Sequence, residues 1–209
     1  MSLSRSLGQV ATPKYVSIGW IIHPTLRSTA LVAVVATFTA LIVGSDFALS
    51  PFSNVKLLDT LVFVSAYLFG FRVGAMIGVL SESIWSVVSP QGTAGVIAPF
   101  LIAGEVLFAL AGWGAAKAWG RRFQLLSPYP LFIGAALAIC AFFWDLETNL
   151  ATALIAFWPA PSLGEYLCTA FCPLTLPFIL AHEVSDFAFG IVLAPAFIVF
   201  IPKVFRGPK

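Results

Sequence analysis

The sequence predicts an all-α membrane protein, a bundle of about six transmembrane helices with both termini cytoplasmic. Three observations predict it. Hydrophobic residues make up 60% of the 209 residues and charged residues only 10%, against roughly a quarter charged in a soluble domain. Mean hydropathy is +0.99. The apolar residues also run continuously, without the apolar–polar alternation that a membrane barrel needs. At about 20 residues per span, the chain holds six helices and short loops in one domain.

The elements follow in order. Residues 1–26 form an N-terminal cytoplasmic or interfacial segment. It is polar at its start, carries Arg5, and lacks the charged, apolar and cleavage regions of a signal peptide. Its Tyr15–Pro24 stretch, with Tyr, Trp and His, suits the headgroup layer. The transmembrane domain spans 27–202. Apolar runs predict helix 1 at about Arg27–Gly44, helix 2 at Leu57–Phe69, helix 3 at Val73–Val88, helix 4 at Val96–Trp119, helix 5 at Pro130–Trp158 and helix 6 at Leu174–Pro202. Ser50-Pro51, Gly70-Phe71-Arg72, Ser89 to Gly92, Arg121 to Pro128 and Pro159 to Pro173 separate them as turns and loops. Helices 2 and 3 are short for full spans. Residues 203–209 form a basic cytoplasmic tail.

Basic residues set the orientation. Arg5, Lys14, Arg27, Arg72, Lys117, Arg121, Arg122, Lys203, Arg206 and Lys209 all fall on one side of a six-helix path, and Lys56 alone falls on the other. Positive loops stay cytoplasmic, so the side holding Lys56 faces out. The multi-pass chain is assigned to the plasma membrane.

Acids point to a site. Asp46, Asp59 and Glu165 fall in or near the outer loops, whereas Glu82, Glu105, Asp145, Glu147, Glu183 and Asp186 fall within helices. An acid at mid-bilayer costs roughly 2.5 kcal/mol or more, so such groups face a bundle interior or a cavity. No Lys or Arg lies mid-helix to pair with them. Asp145, Thr148, Asn149 and Thr152 share one helix face at i, i+3, i+4, i+7. Gly74, Gly78, Glu82, Trp85 and Ser89 run down one side of helix 3. The expected pocket wall is Glu82, Trp85, Glu105, Trp144, Asp145, Asn149, His182, Glu183 and Asp186, open to the outside. Uncompensated acids and the Trp faces predict a preference for a cationic or amine-bearing solute. The plainer alternative is interhelical hydrogen bonding that only holds the bundle together.

Other signals are weaker. His182 and Asp186 have metal-ligand spacing, but two ligands on one helix describe a polar wall equally well. Cys168 and Cys172 are either bridged or free thiols. Gly104, Gly112 and Gly114 suit close helix approach. There is no phosphate loop, nucleophile elbow or dinucleotide fingerprint, and no basic cluster dense enough for nucleic acid. No cofactor, resident metal or ATPase activity is predicted within the chain.

Leu41-Ile-Val-Gly-Ser-Asp-Phe-Ala-Leu49, Asn54-Val-Lys-Leu-Leu-Asp59, Phe69-Gly-Phe-Arg-Val-Gly-Ala75 and Ser89-Pro-Gln-Gly92 resemble the substrate-binding S components of energy-coupling factor transporters. The last 70 or so residues match only in general style. The resemblance implies capture of a vitamin or related micronutrient from outside, then docking on a transmembrane T component driven by ATPase subunits. It implies docking through Ala-x-x-x-Ala on helix 1, matched by Ala36 and Ala40 and extended by Thr29, Ala33 and Gly44. Small residues allow close helix contact; packing within the chain's own bundle is the alternative. Two other function classes stay open, an accessory or structural subunit of a larger membrane complex and an intramembrane enzyme using His182, Glu183 and Asp186.

Overall fold

The computed structural model describes residues 28–120 and 123–205. The segment 1–26, Arg27, Arg121, Arg122 and the end of the basic tail, 206–209, lie outside the described residues.

Among the described residues the fold is helical throughout: α1 Ser28–Leu49, α2 Leu58–Phe69, α3 Phe71–Val88, a 3-10 turn Gly95–Ile97, α4 Ala98–Trp119, α5 Tyr129–Ala156, α6 Leu163–Phe171 and α7 Leu176–Phe205. Five segments, Thr29–Leu49, Phe71–Val88, Gly95–Trp119, Tyr129–Ala156 and Leu176–Lys203, are long and apolar enough to cross a bilayer. The chain is a helical membrane bundle.

Helix α2 departs from a full span. Its 12 residues reach about 18 Å at 1.5 Å each, short of the roughly 30 Å hydrocarbon core. Every residue from Leu58 to Leu68 is buried, and the helix packs against α1, α3, α4, α5 and α7. It is the central post of the bundle. Protein on all sides explains why Asp59, Thr60 and Ser65 are tolerated there. Asp46 Oδ1 accepts a hydrogen bond from the Leu57 amide at 3.0 Å, which ties the preceding loop back onto α1. One residue, Gly70, then separates α2 from α3, and its φ of 95° is open to glycine at little cost.

In lipid, close packing rather than water exclusion holds helices together. Glycine permits it here. A Cβ on Gly112 of α4 would lie 2.1 Å from the Phe63 carbonyl oxygen of α2, and one on Gly190 of α7 would lie 2.6 Å from the Gly134 Cα of α5. Gly104 abuts the Trp144 side chain, whereas a Cβ on Gly114 would meet nothing within 4 Å. Two of the three α4 glycines therefore serve helix approach and the third does not.

Two connections differ from the sequence expectation. The segment Pro159–Pro173, expected as a loop, contains α6, started by a capping box. Ser162 Oγ accepts from the Glu165 amide at 3.2 Å, and Glu165 Oε2 accepts from the Ser162 amide at 2.6 Å. Ser-x-x-Glu was legible as a helix start, but the flanking prolines read as loop. Helix α7 also continues to Phe205, past the expected tail boundary at 203.

The helix ends sort by charge. Arg72 and Lys117 line one cleft with Tyr67 and Trp113. Asn54, Gln91 and Thr175 line another, formed by the opposite ends of the helices. On α1, Thr29, Ala33, Ala36, Ala40 and Gly44 are all exposed, so the small-residue stripe faces away from the bundle.

Candidate functional site

The α5 face carrying Asp145, Thr148, Asn149 and Thr152 lines a cavity of about 470 Å³, within the range of small-molecule sites. Trp144 and Leu101 form part of its wall, and Phe178 and Ile179 of α7 face them. Ser53, Asn54, Gln91 and Thr175 come from loops and helix ends. Asn54 takes a left-handed φ of 59°, a conformation asparagine adopts more readily than most residues. Its Nδ2 donates to the Phe178 carbonyl at 3.0 Å and reaches Asp145 Oδ1 at 3.4 Å. The loop before α2 is thereby pinned to α5 and α7 at the cavity.

Asp145 connects this cavity to a buried cluster. Its Oδ2 lies 2.9 Å from His182 Nδ1, and His182 Nε2 lies 3.0 Å from Asp59 Oδ2. Asp186 Oδ2 lies 4.0 Å from the same Nε2. His182, Asp59 and Asp186 are fully buried. Glu105 is also fully buried, and neither of its oxygens has a hydrogen-bond partner among the described residues. Glu82 Oε1 accepts from Ser86 Oγ at 3.2 Å.

A lysine lies beside the cluster. Lys56 places its Nζ 4.3 Å from the centre of the Trp144 ring. Burial alone would lower its pKa. The carboxylates of Glu82, Asp59, Glu105 and Asp46 outweigh that and hold the ammonium above its ordinary value. The Trp144 indole is fixed in turn. Its N–H donates to the Leu101 carbonyl at 3.2 Å, and its ring meets the His182 ring edge-on at 5.3 Å.

The structure divides the expected wall residues into three groups. Trp144, Asp145 and Asn149 line the cavity. Glu82, Glu105, His182 and Asp186 lie buried beneath it. Trp85 is buried against Phe47 of α1, with ring centres 5.3 Å apart, and Glu183 is half-buried outside the cavity lining. Glu147 is also only half-buried. Three expectations need correction. Asp46 and Asp59 are buried, not outer-loop acids. Lys56 does not stand free on the outer surface. The acid zone therefore has a protonatable His182 within it and a half-buried Lys56 beside it. Hydropathy missed this because it averages over neighbours in sequence, whereas Asn54 to Leu57 are partly enclosed by the bundle and Leu58 onward is buried. Cys140, Cys168 and Cys172 are free thiols.

No family model, curated protein or solved structure matches the chain. Fold and site define a helical membrane protein with a polar cavity at one end, a buried acid–histidine cluster beneath it and a half-buried Lys56 beside the cluster.

Proposed function

We propose that the chain is the substrate-capture subunit of an energy-coupling-factor-type importer in the plasma membrane. In this reading it takes up a vitamin or related micronutrient from the outside through the 470 Å³ cavity. The cavity is the observation that carries the reading. It has the volume for a small solute and several hydrogen-bonding side chains around one carboxylate. Asp145 is the one acid among the described residues that line it, and an amine on the solute would meet that carboxylate. The cationic preference thus narrows to a single contact, since Lys56 and His182 lie among the other acids. Transport would be powered elsewhere, with a transmembrane T component docking on the exposed Ala33, Ala36 and Ala40 stripe and ATPase subunits below it.

An accessory subunit would have no need of a solute-sized cavity. An enzyme centred on His182 and Asp186 would need substrate access, and neither residue lines the cavity. Native mass spectrometry of gently purified protein tests the capture reading. A retained small molecule should appear, and Asn149→Leu with Thr152→Leu should abolish it by filling the cavity. Retention of the same molecule by the filled variant would place binding elsewhere and refute the assignment.

A further inference from the structure

We infer that Asp59, His182 and Asp186 form a site for one divalent transition-metal ion beneath the solute cavity, with Asp145 orienting the histidine. One ligand atom from each of the three residues lies within 4.8 Å of the others. His182 Nε2 is 3.0 Å from Asp59 Oδ2 and 4.0 Å from Asp186 Oδ2. Around an ion with bonds of about 2.0–2.1 Å, ligand atoms lie about 2.9 Å apart at a right angle and about 3.3 Å apart at a tetrahedral angle. The shorter spacing falls within this range and the longer one exceeds it. Closing the wider one requires Asp186 to move by roughly 4.0 − 3.3 = 0.7 Å.

Asp186 is the observation that points to a ligand. It is fully buried, and neither carboxyl oxygen has a hydrogen-bond partner. Such an oxygen pair is costly to bury without a cation or proton. Proton placement on the ring gives a second argument. Nδ1 faces Asp145 Oδ2 at 2.9 Å, and in the neutral tautomer that carries its proton there Nε2 holds a lone pair. That lone pair then faces Asp59 Oδ2 at 3.0 Å, acceptor against acceptor. A cation between them resolves the conflict, and so does a second proton on the ring. A carboxylate on the outer nitrogen of a ligating histidine is also the usual arrangement around a bound metal.

The donor set selects the ion. Two carboxylates match a divalent charge, and an imidazole favours zinc, iron or cobalt over the all-oxygen preference of magnesium and calcium. The site does not depend on the transport reading, because the three ligands lie below the cavity lining.

The test uses the full chain in detergent, stripped with a chelator and titrated with Zn²⁺ or Co²⁺ alone. Elemental analysis should find one ion per chain. Asp186→Asn should weaken binding by about tenfold or more. Asp145→Ala should weaken it by about 10–100-fold, as loss of an orienting partner does. Asn149→Ala, which alters only the cavity, should leave metal affinity unchanged. X-ray absorption of the zinc-loaded unmodified protein should show an imidazole nitrogen and carboxylate oxygens at about 2.0–2.1 Å, and this measurement decides the matter if a variant fails to fold. No stoichiometric uptake, uptake indifferent to Asp186→Asn, or a ligand shell without imidazole would overturn the site and leave a second proton on His182 as the occupant.

Discussion

Gly104→Ala tests whether α4 seats the indole that walls the cavity. A Cβ at Gly104 would lie 2.2 Å from Trp144 Cδ1 and 2.8 Å from its Nε1, where ordinary contact begins at 3.4 Å. The ring must therefore move by about 3.4 − 2.2 = 1.2 Å, or the helices must part. Three contacts depend on its present position: the hydrogen bond to Leu101, the Lys56 ammonium over the ring, and the edge contact with His182. Loss of the hydrogen bond costs about 0.5–1.5 kcal/mol, and loss of the cation–π contact about 0.5–2 kcal/mol. Alanine returns about 1 kcal/mol in helix propensity. The two losses less this gain leave a net destabilisation of about 0–2.5 kcal/mol. Denaturant unfolding in detergent gives the stability, and the assigned indole N–H resonance of Trp144 reports the ring. Gly114→Ala is the control, because its Cβ meets nothing within 4 Å and only the propensity gain remains. If Gly104→Ala gains as much stability as the control and leaves the Trp144 resonance in place, the seating argument is wrong.

The other predictions concern docking, topology and the outer helix. Ala36→Leu and Ala40→Leu project into a groove of about 680 Å³ shared with Met76, Leu80 and Ile84; on the proposed docking role they should weaken co-purification of a partner membrane subunit and leave folding and solute retention intact, and undiminished co-purification would remove that role. Single cysteines at Gln91 and Ser162 should react with an impermeant reagent in intact cells and one at Gln124 should not, and reversed labelling would invert the orientation. Glu165 has its carboxyl held below the ordinary value of 4.5 by its hydrogen bonds with the Ser162 backbone and hydroxyl. A depressed folded pKa means that the cap is fully present above that ordinary value and lost as pH falls through the lowered one. Amide exchange in the first turn of α6 should accelerate over that acid range, and an identical pH profile in Glu165→Ala would show that the cap is not the cause.

The sequence by itself determined the membrane class, the apolar helices and the polar face of α5. These depend on local composition and on the 3.6-residue period, both properties of a chain segment alone. Asp145, Thr148, Asn149 and Thr152 share a face whatever surrounds them, and all four line the cavity. It also marked the small-residue stripe on α1, although only the bundle shows that stripe to be outward-facing. Tertiary structure alone decided the charge balance of the site. Lys56 and Asp59 read as residues of an outer loop because hydropathy locates a group by its position along the chain. The 12-residue α2 is enclosed by other helices from its first residue, and Asp59 meets His182 across 123 positions of sequence. No local pattern encodes a contact of that separation. It follows from how α2 is enclosed by the helices around it, since buried charges have to find their partners among whatever those helices bring within reach.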